Sequence, residues 1–146
     1  MKLSLNFNLE EFTTSETAIR KGINNIPSDE IIANIISLCS NVLEPLEELI
    51  NKQIIISSGY RSEELNSEIG GAKNSQHVEG KAADIKVKDI STEDLFQVII
   101  ESDIEYDQLI QEFDKWVHIS YNEGKNRKQK LRATKDKNNK TIYTRI

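Results

Sequence analysis

The chain is poor in the residues that mark a specialised architecture: one cysteine, two prolines, six glycines, one tryptophan and two histidines among 146 residues. Cys39 alone cannot form an intramolecular disulfide, and its place in the apolar stretch IIANIISLCSNVL reads as a buried, inert thiol. That cysteine lies outside every motif, which argues against thiol-based catalysis. Scarce proline and glycine exclude collagen-like and low-complexity chains. No apolar run approaches the roughly 18 residues that span a bilayer, so no membrane insertion is expected. The opening MKLSLNFNLEEF lacks the apolar centre of a secretory signal, which predicts cytoplasmic synthesis without a signal peptide. GYRSEELNSEIGGAKNS has neither the spacing nor the lysine of a phosphate-binding loop.

What is present suits a globular protein. Hydrophobic residues make up 37% of the chain, enough to bury one core, and the length fits a single domain over residues 1–146. The charge is uneven. From Lys125 to Lys140 eight basic residues accompany one acid, Asp136; of the chain's 19 basic and 24 acidic residues, 11 and 23 remain elsewhere, a balance of −12. Residues 125–146 thus form a basic C-terminal stretch on an acidic body. It is either a solvated surface or an attraction for a polyanion. Without a recognition motif, and with so acidic a body, nucleic acid is not expected as a partner.

Periodicity predicts mixed helices and strands. A short helix is expected over Ser15 to Lys21, stopped by Gly22 and Pro27. Ser28 is the N-cap of a long helix in which Ile31, Ile35, Leu38, Val42, Leu46 and Leu49 recur at helical spacing to about Ile50, with Pro45 kinking or dividing it. QIIISS (53–58) reads as a buried strand ended by Gly59, and Ser62 caps a helix over Glu63 to Ile69 closed by Gly70 and Gly71. The loop from Ala72 to Lys81 leads into the strand AADIKV, and Ser91 caps the amphipathic helix TEDLFQVIIES. YDQLIQEF and WVHISY, separated by Asp114-Lys115, read as a hairpin, and KDKNNK as a turn or mobile loop. This order predicts an α+β fold, one compact domain with a mostly antiparallel sheet and flanking helices.

The two histidines are the natural start for chemistry. A lone histidine is ordinarily a surface or satisfied core residue. Here His77 lies in a Gly/Ser-flanked loop before a strand, and His118 within an aromatic strand of a hairpin. A catalytic zinc site needs three protein ligands and an open fourth position, with imidazole and carboxylate as suitable donors. Asp84, just past the small pair Ala82-Ala83, can supply the third, while Gly80 lets the chain turn.

The segment Ser75-Gln76-His77-Val78-Glu79-Gly80-Lys81-Ala82-Ala83-Asp84 resembles the S-x-H-x-x-G-x-A-x-D motif of the M15 family of zinc peptidases, and matches it throughout. Ser57-Ser58-Gly59-Tyr60-Arg61-Ser62 is similar to the family's S-G-Y-R segment, and Trp116-Val117-His118-Ile119-Ser120 to its final W-x-H strand. The opening NFNLEEFTTSETAIRKGINNIP and the later NRKQKLRATK are similar to phage and prophage members. The family includes D-Ala-D-Ala carboxypeptidases and dipeptidases and the L-alanyl-D-glutamate endopeptidases of phage lysins.

The resemblance implies a zinc site at the sheet with His77, Asp84 and His118 as ligands to Zn2+, and Arg61 binding substrate beside it. A planar guanidinium suits that task because it holds a carboxylate or carbonyl in a fixed orientation. Ser75 and Gln76 are candidates to orient substrate or ligand by hydrogen bonds, and Trp116 to line the cleft. Many members carry an acidic general base three places before the last histidine, but Lys115 stands there in this chain. The base then falls to Glu112, Asp114 or Asp107, with Glu112 first. In simple pairing with Asp114-Lys115 as the turn, Glu112 faces Val117 and needs a bulge or twist to reach the metal. The implied partner is bacterial peptidoglycan, cut by a monomer that reaches the wall after release in a phage or prophage setting. The alternatives are a zinc-containing wall-binding module without hydrolysis, and a phage structural part carrying this domain.

Overall fold

The computed structural model describes residues 1–146. The chain runs through α1 (Leu9–Thr13), α2 (Glu16–Lys21), α3 (Asp29–Leu38), one turn of wider π-helix (Cys39–Leu43), α4 (Glu44–Ile50), β1 (Ile54–Ser58), α5 (Glu63–Glu68), β2 (Ala82–Val87), α6 (Thr92–Glu101), β3 (Gln108–Glu112), β4 (Trp116–Ser120), β5 (Gln129–Lys135) and β6 (Thr141–Arg145). Helix starts fall where a hydroxyl reaches an unpaired amide. The side chains of Ser28, Ser62 and Ser91 accept from the amides of Ile31, Leu65 and Asp94. Pro45 acts as its missing N–H requires: the turn before it widens, and the Glu44 amide donates to the Cys39 carbonyl five residues back. Cys39, Val42 and Leu43 on that turn are buried, which agrees with an inert thiol. Burial pushes the Cys39 thiol up to about 12.

The six strands form one sheet in the order β1-β2-β4-β3-β5-β6, antiparallel except where β5 lies parallel to β3. This is a single α+β domain with a mostly antiparallel sheet and helices, as expected. No helix is long and apolar enough to cross a membrane. Alternation along the strands divides the sheet into two faces. Ala83, Ile85 and Val87 on β2, Leu109 on β3, and Val117 and Ile119 on β4 join one buried cluster with Ile35, Leu38, Leu46, Phe96 and Ile99 of the helices. The residues between them, Asp84, Ile110, Glu112, Trp116 and His118, line a cleft on the other face.

Two departures from the sequence-based expectation matter for the site. The hairpin turn is Phe113-Asp114-Lys115, with Glu112 paired to Trp116 and not to Val117. Phe113 and Asp114 take left-handed backbone, at φ 60° and 59°, which accommodates the third residue. A shift of one place moves a strand residue to the other face, so Glu112 shares the face of Trp116 and His118 without a bulge. The second departure is the basic stretch. It supplies β5, whose charged sequence QKLRATK carries little strand signal, and β6, whose β-branched and aromatic TIYTR did carry one that was not read; α1 was also not foreseen.

Candidate metal centre

Three separate elements deliver the cluster. β2 and β4 pair so that Asp84 lies directly opposite His118, with Ser58 of β1 on the far side of Asp84. His77 comes from the loop before β2, a loop tightened at Gly80. That residue has φ +73°, and a Cβ there would lie 2.7 Å from a methyl of Ile31 on α3, so the backbone conformation and the close approach both favour glycine. Ser75 steadies the same loop by accepting from the His77 amide at 3.2 Å.

His77, Asp84 and His118 are all buried, and each offers a ligand atom within 4.8 Å of the others. His77 Nδ1 donates to the Gly59 carbonyl at 2.7 Å; since a carbonyl only accepts, Nδ1 carries the proton and Nε2, facing Asp84, keeps the free lone pair that a metal ion takes. His77 Nε2 and His118 Nδ1 lie 3.3 and 3.2 Å from the same oxygen, Asp84 Oδ1. Bonds of about 2.1 Å at tetrahedral angles separate ligand atoms by about 3.4 Å, so the donor set fits a zinc ion in type, number and spacing. Burial opposes the charge on Asp84, but the two imidazoles outweigh it and hold the carboxyl well below its usual range. Burial also lowers His77, against the pull of Asp84, favouring the neutral imidazole that a metal requires.

Arg61 and Glu112 flank this cluster. The Arg61 guanidinium reaches Ser58 Oγ at 3.2 Å, Asn66 Oδ1 at 3.2 Å and Asp84 Oδ2 at 3.5 Å. Three partners fix its plane beside the cluster. Glu112 Oε1 lies 3.7 Å from His118 Nδ1. Burial, then the like charge of Asp84, raises the Glu112 carboxyl above its ordinary value, with His118 and Arg61 opposing.

The remaining sequence candidates separate clearly. Ser75, Gln76 and Trp116 line the cleft, which encloses about 930 Å³. Gln76 Nε2 donates to Asp107 Oδ2 at 2.9 Å, and the buried Asp107 also accepts from the Arg127 guanidinium at 2.8 and 2.9 Å. Asp107 is therefore a brace between the histidine loop and the basic stretch. Asp114 is not brought to the cluster: its carboxylate accepts from Gln111, which points to the opposite face of the sheet, and it does not line the cleft. Asn66 was not singled out from the sequence. Buried and only 4% exposed, it orients Arg61 and donates to the Ala72 carbonyl at 2.8 Å. A polar residue in a short helix carries no local signal for that role.

A buried pair of imidazoles and a carboxylate, open to a cleft with an arginine and a second carboxylate beside it, defines a metallopeptidase type of centre. A family model described as Peptidase M15 matches residues 5–120, and the chain belongs to that family. It is a metallopeptidase whose cofactor is zinc. No curated protein matches the chain. The matched stretch ends with β4, so β5 and β6 lie beyond it.

Proposed function

We propose that this zinc peptidase hydrolyses a peptide bond in the stem peptides of bacterial peptidoglycan, with His77, Asp84 and His118 holding the metal and Glu112 acting as general base. The observation that carries the catalytic part is the placement of Glu112, a partly buried carboxylate beside His118 in an open cleft. Zinc bound there would supply a Lewis acid for the scissile carbonyl and water of lowered pKa. Glu112 Oε1 takes the proton from the attacking water and returns it to the leaving nitrogen; a carboxyl raised above its usual value is better matched to that second task. Arg61, fixed by Ser58 and Asn66, holds a substrate carboxylate or the carbonyl oxygen as charge develops. Asp84 keeps its negative charge throughout, and the Gly59 carbonyl keeps His77 in one tautomer.

The wall substrate rests on the resemblance of the three motifs to wall-cutting members, together with an open cleft of about 930 Å³ over the cluster. The test is release of new amino groups from purified peptidoglycan with zinc, after chelation and after zinc is restored, with products identified by mass. Zinc-dependent release is expected. A protein that retains zinc yet releases nothing from peptidoglycan or from stem peptides would be a wall-binding module instead.

A further inference from the structure

The cleft has two unlike walls. One, Ile69 to Ser75, contributes Gly70, Gly71, Ala72 and Asn74 and no charged side chain. The other is the basic stretch. Of the four cations that line the cleft, Arg61 is engaged by Asp84 and Arg127 by Asp107. Lys125 and Lys135 remain, with no carboxylate within 4.0 Å of either ammonium.

Strand register fixes where Lys135 stands. Glu112 pairs with Ala133, and Ala133 with Tyr143, so these three share a face; Lys135, two places on, lies on that face and pairs with Thr141. A strand spacing of about 4.8 Å and a rise of about 3.3 Å per residue put the Lys135 backbone roughly 8 Å from that of Glu112. Its ammonium is held, donating to Thr141 Oγ1 at 2.8 Å and lying 5.0 Å from the centre of the Phe113 ring. Phe113 in turn meets Trp116 edge-on at 6.1 Å. Since an extended peptide advances about 3.5 Å per residue, a cation at this distance reaches a group within about two residues of the bond being cut.

We propose that the β5–β6 wall, beyond the residues the family model matches, forms an anion-binding subsite in which Lys135 binds a carboxylate of the substrate within two residues of the scissile bond. The enzyme therefore selects acidic peptides, and Lys135 determines that selectivity. This inference rests on the reading of the cleft as the peptide site. The acidic body repels such a substrate elsewhere and leaves the wall as the favourable approach.

Trp116, the only tryptophan, reports binding directly. The probes are a short stem-type peptide with a free glutamate α-carboxylate and the same peptide with that carboxylate amidated. They are titrated by fluorescence into zinc-free wild type, Lys135→Gln and Lys125→Gln, and then compared as substrates of the zinc enzyme. Wild type should bind the acidic peptide at least tenfold more tightly, with the preference falling as salt rises. Lys135→Gln should bring the two affinities together by weakening the acidic peptide alone, and KM should follow while kcat on the amidated peptide stays unchanged. Binding of neither peptide, equal binding by wild type, or a Lys135→Gln loss shared by both peptides would overturn the proposal. Selective binding without hydrolysis by the zinc enzyme would support the subsite while defeating the peptidase reading.

Discussion

The two faces of the central sheet use the same strands under opposite rules. On the core face Val117 and Ile119 of β4 are wholly buried among aliphatic side chains, and what matters there is volume. On the cleft face their neighbours Trp116 and His118 meet Glu112 and Asp84, and what matters is charge and proton position. Stability should thus depend on residues that catalysis does not use, and catalysis on residues whose loss the fold tolerates.

The sharpest separation should come from Glu112→Gln, which keeps size and hydrogen bonding but removes the proposed base. Turnover should fall by about 10² to 10⁴ with the melting temperature unchanged or raised, because a raised carboxyl is one the fold disfavours in its charged form. Steady-state kinetics and thermal melts on the same sample check both halves. The converse change, Ile119→Ala, should lower stability by about 2–5 kcal/mol in denaturant titration while turnover of the folded fraction persists. Equal loss of activity and stability in either variant would break the distinction between the faces.

Asp107 sharpens it from the cleft side, since this buried carboxylate has a structural task. Hydrogen bonds from the Arg127 guanidinium outweigh its burial and lower it to about 2, against an unfolded value of about 3.9. A depressed folded value means stability that is fully present above the unfolded value and is lost as pH falls toward about 2. Melts of wild type and Asp107→Asn should differ at pH 7, draw together as pH falls below about 4 and converge only near pH 2; a gap constant with pH would contradict the brace. The smallest effect is expected at Gly71. A Cβ there would lie 2.0 Å from Asn66 Oδ1, displacing the group that orients Arg61. Gly71→Ala should raise KM roughly tenfold, the size of one weakened charged hydrogen bond.

The sequence reveals more of one face than of the other. The core could be read from aliphatic periodicity, and helix starts from serines at 28, 62 and 91, because each is a local rule. The convergence of His77, Asp84 and His118 was legible through motif spacing, since β2 and β4 pair directly. Register was not. Whether the β3–β4 turn holds two or three residues decides which face Glu112 takes, and that choice depends on left-handed backbone at Phe113, a residue with no preference for it. β5 was hidden for another reason: it pairs in parallel with a strand some twenty residues earlier, through a sequence dominated by charge. Asn66 was silent, and Asp107 was named only as a candidate base and not as a brace, because the role of a buried polar residue is identified by its partners, and those lie elsewhere in the chain.

The central claim is that the cleft face carries a zinc centre served by Glu112. Its most direct measurement is mass analysis of peptidoglycan digested by wild type and by Glu112→Gln, each first shown by elemental analysis to hold one zinc per chain. The account predicts stem-peptide fragments from wild type and essentially none from the variant. Comparable digestion by zinc-loaded Glu112→Gln, or failure of Asp84→Ala to lose the metal, would contradict it.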